Sequence, residues 1–138
     1  MRYLYTQIAP RSPHRPYLSV FLRHGFATTD PTFGLLDSGS DHSLFPYAFA
    51  KLLKIDLSDA KIWNFAGTTG QPQIAYLVKI EINVLSADHS QTEFTISTDA
   101  GFCPDLEFPG VLLGQHGFFS HFKIAFHQPY DFFEIEPF

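Results

Sequence analysis

The sequence predicts an all-β domain built from many short strands. Three observations predict it. Sixteen Phe and six Tyr load the chain with residues that favour strands. Ten Pro and nine Gly punctuate it at short intervals, as turns require. From Val78 to Val84, apolar and polar residues alternate with the period of a half-buried strand.

The elements follow in order. Tyr3 to Ile8 reads as a first strand, broken by Pro10, Pro13 and Pro16. Tyr17 to Arg23 reads as a strand apolar on both faces, and His24 to Pro31 as a turn. Thr32 to Leu36 is a short strand running into Asp37-Ser38-Gly39-Ser40. The one convincing helix spans Leu44 to Ile55. Ser43 is its expected N-cap, Pro46 lies early, and Leu44, Ala48, Leu52 and Ile55 follow helical spacing. Lys51 and Lys54 suit the negative end of its dipole. Lys61 to Phe65 and Gln73 to Leu85 read as two strands of a hairpin around Ala66-Gly67-Thr68-Thr69-Gly70. Gln91 to Thr98 is another strand, and Asp99 to Gly110 reads as irregular. Val111 to Gly114 is a short buried strand, Gln115 to Phe122 a short helix. Lys123 to His127 and Tyr130 to Glu136 are the last strands.

The bulk numbers bound the function. A chain of 138 residues fits one domain, 1–138, and its 45% hydrophobic content supplies a core. The net charge is −5 and the nine Lys and Arg form no run, which argues against a nucleic-acid partner. No apolar stretch approaches the roughly 20 residues of a membrane helix, and none before Arg11 resembles a signal peptide. The lone Cys103 cannot form an internal disulfide. Together these predict a cytoplasmic protein without a membrane partner.

Three stretches carry a resemblance. Leu35-Leu36-Asp37-Ser38-Gly39-Ser40-Asp41 resembles the active-site strand and loop of the retropepsins, the single-domain aspartic proteases that act as homodimers. Phe65 to Ile74 resembles their flap, and Val111-Leu112-Leu113-Gly114 the apolar segment before their C-terminal helix. The segment Gly114 to Phe122 is similar to bacterial members. The resemblance implies a closed, barrel-like retropepsin fold with one or two short helices. It also implies an aspartic endopeptidase acting on peptide or protein substrates, with no cofactor and no metal.

The chemistry makes its own demand. Hydrolysis needs one carboxylate to activate water and one acid to assist the carbonyl oxygen and then the leaving amine. Two adjacent carboxyl groups meet it, because both cannot ionise cheaply and they share a proton, as is general for aspartic proteases. This chain has one Asp-Ser-Gly, so a twofold homodimer must supply Asp37 twice.

By resemblance, Asp37 is base and acid, the Ser38 hydroxyl hydrogen-bonds within the loop and helps fix the partner's loop, and Gly39 brings its N–H to the carboxylate. Asp41 lies at the cleft edge. Ala66, Gly67, Thr68, Thr69 and Gly70 form a flap tip that closes over an extended peptide. One position departs from the pattern. Retroviral members follow Leu-Leu-Gly with Arg, which pairs with the Asp of the loop; here Gln115 stands there, followed by His116. Gln has no guanidinium fork, so Asp41 lacks its expected partner. That keeps a second reading open, a weak or inactive dimer of the same fold serving as a peptide-binding or scaffolding module. A third is a plain β-barrel domain of another family, with Asp-Ser-Gly as an ordinary turn. The seven His residues match no metal-site spacing, and Ser40-Asp41-His42-Ser43 are neighbours rather than a triad assembled from distant positions.

Overall fold

The computed structural model describes residues 1–67, 70–104 and 110–138. Its strands are β1 (Arg2–Leu4), β2 (Tyr17–His24), β3 (Ala27–Thr28), β4 (Thr32–Leu36), β5 (Leu44–Pro46), β6 (Lys61–Ala66), β7 (Pro72–Leu85), β8 (Thr92–Cys103), β9 (Val111–Leu113), β10 (Phe122–His127) and β11 (Phe132–Pro137). One α-helix, α1 (Tyr47–Leu52), follows β5, and two single 3-10 turns flank β10.

Six strands close a barrel in the order β2-β4-β9-β5-β8-β7, with β7 returning to β2. Strand β2 closes the ring because it pairs twice. Its first half, Tyr17 to Val20, lies against β4, and Val20 to Arg23 lies against β7. β4 and β9 run parallel, as do β5 and β8. β6 extends β7 as an edge strand, and β3 extends β2. The chain is therefore all-β with a closed barrel and very little helix, as the sequence predicts.

Alternation decides which residues fill the barrel. Ile80, Ile82 and Val84 of β7 point inward and are buried, while Lys79, one residue before Ile80, is exposed. Leu18, Val20 and Leu22 of β2 are fully buried, as are Phe45, Phe102 and Leu113. Each such side chain stabilises the fold by about 1.5–3 kcal/mol over an exposed position. The polar position Asn83 is buried too, and its Oδ1 accepts from Thr95 Oγ1 at 2.8 Å.

A second sheet, β1-β11-β10, is antiparallel and brings the two ends of the chain together. Its inner residues Tyr3, Phe133 and Ile135 join the same apolar cluster as the barrel. Tyr3 stacks on Phe133 at 5.4 Å and donates its hydroxyl to the Leu85 carbonyl at 3.0 Å.

The helix expected at Leu44 to Ile55 is shorter than its periodicity suggests. Leu44 to Pro46 are strand, because β8 and β9 offer them open backbone partners on both sides. The helix starts after Pro46 without a side-chain cap, and Ser43 is used elsewhere. Asp99 to Cys103 continue β8 rather than forming irregular chain, since β7 pairs with them through Tyr76. Gln115 to Phe122 contains only the 3-10 turn Phe119–His121. Among the described residues, no helix is long and apolar enough to cross a membrane.

Candidate active site

Asp37 is the first residue beyond β4, and its place is set by backbone. Leu36 lies in register with Leu113, and the Asp37 N–H donates to the Leu113 carbonyl at 3.0 Å. The chain then turns at once, with the Ser40 N–H donating to the Asp37 carbonyl at 3.1 Å. Inside that turn the Gly39 N–H donates to Asp37 Oδ1 at 2.9 Å. A Cβ on residue 39 would sit 3.2 Å from the same oxygen, so glycine permits the approach. Asp37 is half-buried, and among the described residues its carboxylate has one fixed donor.

The segment after β9 holds the rest of the loop. The Gln115 N–H donates to the Ser40 carbonyl at 2.8 Å, and the His116 N–H to the Asp41 carbonyl at 2.7 Å. The Gln115 side chain donates through Nε2 to the Ser38 carbonyl at 2.8 Å. Gln115 is therefore bonded to the loop, though not to Asp41, whose side chain is exposed. Gly114 runs under the loop so closely that a Cβ there would lie 2.6 Å from the Ser40 carbonyl oxygen.

Ser43, read from sequence as a helix cap, anchors this crossing instead. It is fully buried; its Oγ accepts from the Gly114 N–H at 3.1 Å and its carbonyl from the Gly101 N–H at 2.8 Å. Within the loop the hydroxyl that bonds is that of Ser40, to the His42 carbonyl at 2.7 Å. Ser38 is exposed, and its carbonyl rather than its hydroxyl makes the tie.

His42 links this loop to the hairpin. Its ring meets Trp63 of β6 edge-on at 4.5 Å and the His116 ring at 5.2 Å. Burial, then the neighbouring His116, push its pKa below the ordinary histidine value, with Asp41 and Asp99 opposing them. Trp63 in turn stacks flat on Phe65 at 4.4 Å.

The hairpin pairs Lys61 with Leu77 through Ala66 with Pro72. Beyond Ala66, the Gly67 N–H donates to the Gln71 carbonyl at 3.0 Å and the Gly70 N–H to the Gly67 carbonyl at 2.9 Å. Gly70 adopts φ +80°, a conformation that favours glycine. Ala66 and Gly70 are exposed; Thr68 and Thr69 lie outside the described residues. A cavity of about 190 Å³ lies beside the hairpin, lined by Asn64, Phe65, Pro72, Gln73, Ile74 and Pro104. Among the described residues, no group of three or more His, Cys, Asp or Glu is placed to hold a metal ion.

A carboxylate at a strand end, in a turn crossed by the segment after β9, within a closed barrel carrying a hairpin, is the arrangement of a retropepsin-like fold. The structure is similar to that of a retropepsin-like aspartic protease from Rickettsia conorii, with a TM-score of 0.63 over 99% of this chain and 97% of that one, at 14% identity. It also matches EIAV protease complexed with the inhibitor HBY-793, with a TM-score of 0.45 over 78% of this chain and 88% of that one, at 18% identity. No protein-family model and no curated protein matches the chain. The first of these likenesses establishes the fold, and at that identity it establishes the fold alone.

Proposed function

We propose that the chain is an aspartic endopeptidase that works as a homodimer, with two Asp37 carboxylates sharing one proton and one water. The observation that carries this reading is the Asp37 turn, in which a half-buried carboxylate is held by the Gly39 N–H at the end of a barrel strand. The fold around it is shared along nearly the whole chain with a retropepsin-like aspartic protease.

In the proposed reaction, the ionised carboxylate takes a proton from water as the water oxygen bonds to the peptide carbonyl carbon. The protonated carboxyl of the other subunit gives its proton to the carbonyl oxygen. The tetrahedral intermediate then collapses, a proton passes to the amide nitrogen, and the C–N bond breaks. Ala66, Gly67, Thr68, Thr69 and Gly70 act as the flap tip that excludes water, and Asp41 borders the substrate. The substrate lies extended and pairs through its main chain. The chain, 1–138, works as one retropepsin-like unit in the cytoplasm.

The test is cleavage of a mixed pool of unstructured peptides from pH 4 to 7 by wild type and by Asp37→Asn, with sedimentation of both. The proposal expects a wild-type dimer that cuts and a variant dimer that does not. A wild-type dimer that leaves every peptide intact would overturn the enzymatic reading.

A further inference from the structure

We infer that Gln115 is a positioning residue for Asp37, acting through the Ser38–Gly39 peptide group. This rests on the catalytic role proposed for Asp37, but its structural half stands without it.

The argument begins with one planar unit. In a trans peptide the C=O and the N–H point in opposite directions and turn together. The Ser38 carbonyl and the Gly39 N–H belong to the same unit. The carbonyl accepts from Gln115 Nε2 at 2.8 Å, and the N–H donates to Asp37 Oδ1 at 2.9 Å. Holding one end of the plane therefore aims the other at the carboxylate. The two hydrogen bonds also polarise the same amide in the same sense, and each strengthens the other.

The loop needs such a tie. In the single chain Ser38 and Gly39 are both exposed at the tip of the turn, and among the described residues it is the Gln115 side chain that bonds the Ser38 carbonyl. The backbone bonds from Gln115 to Ser40 and from His116 to Asp41 hold only the far side of the turn. Without the Gln115 side chain, the Ser38–Gly39 plane is free to rotate into the alternative turn and lose the carboxylate bond. A neutral amide suits the task. It donates to a carbonyl without placing a charge beside Asp37, and it leaves the Asp41 carboxylate exposed.

The informative variant is Gln115→Glu. The introduced carboxyl is nearly the same shape and can donate to the Ser38 carbonyl only while protonated, below a pKa of about 4.3. Above that it presents a carboxylate to carbonyl lone pairs, and the tie is lost. Two ratios of variant to wild type are read from pH 3.5 to 6.5. One is kcat on a peptide that wild type cleaves. The other is the amide hydrogen-exchange rate of Gly39 and Ser40, each compared at matched pH.

The inference predicts near-parity at the acid end. By pH 6 it predicts a fall in kcat of roughly tenfold, with KM changed much less, and exchange faster by a similar factor. Gln115→Ala should show the loss at every pH. A kcat ratio and an exchange ratio both flat with pH would overturn the inference, since a surface side chain of no consequence behaves that way. The two readings fail separately. If wild type cuts nothing, the protease reading falls while exchange still decides whether Gln115 holds the loop. If wild type cuts and both ratios are flat, the positioning role falls alone.

Discussion

Gly114 passes beneath the Asp37 loop so closely that a Cβ on it would lie 2.6 Å from the Ser40 carbonyl oxygen. The obstacles are main-chain atoms of Ser40 and His42, which cannot swing aside as a side chain does. Gly114→Ala must push the loop off the end of β9 and break the Gln115-to-Ser40 bond with it. We expect a loss of about 3 kcal/mol, at the upper end of overpacking costs, read as a lower midpoint in urea denaturation. An unchanged midpoint would mean that the loop and β9 are not in this contact.

Ser43 supports the same crossing from the interior. With its hydroxyl gone, the buried Gly114 N–H has no acceptor. Ser43→Ala should cost about 1–3 kcal/mol, more than removal of an exposed hydroxyl. If Ser43 were instead a helix cap, the variant would lose helical signal at α1 and spare the loop. Amide exchange at Gly114 against exchange along α1 separates the two.

The pH dependence of stability should carry a signature of His42. Its folded pKa is lowered, first by burial and then by His116. The unfolded chain therefore binds the proton more readily, with a pKa of about 6.5. Stability from this group is full above that value and is lost as pH falls towards the lowered folded pKa. The wild type should thus lose more stability between pH 7.5 and 5 than His42→Gln does. Equal slopes in urea titrations at several pH values would contradict the packing of His42 against Trp63 and His116.

Cys103 should be inert while the chain is folded. It is 1% exposed, and burial pushes its thiol up to about 12. The thiolate is the reactive form, so iodoacetamide at pH 8 should label the native chain far more slowly than the urea-unfolded chain. Equal labelling rates, followed by mass spectrometry, would place the end of β8 outside the core.

Much of the fold was legible because alternation and turn chemistry agree with the final structure. Thr32 to Leu36 ends where the sequence predicts, and the long strand into Leu85 differs only by its first residue, Pro72. Leu44 to Pro46 was not legible, since its apolar residues fit a helix face as well as a strand, and only pairing with Gly101 to Cys103 decides between them. The Asp37 turn was legible from its motif. Gln115 was not, because reading it as a missing arginine asked only whether it could pair with a carboxylate. Its partner is a carbonyl 77 positions away, and no local pattern encodes that.

The central claim is that two copies of Asp37 make one site, and subunit mixing tests it most directly. A fixed amount of wild-type chain is equilibrated with increasing Asp37→Asn chain, and peptide cleavage per wild-type chain is measured. The account predicts that mixed dimers are inactive, so that equal amounts of the two chains about halve the activity per wild-type chain, with further loss as the variant is added. Activity per wild-type chain that stays constant while the two chains are shown to exchange partners would mean that one Asp37 suffices, and would contradict the account.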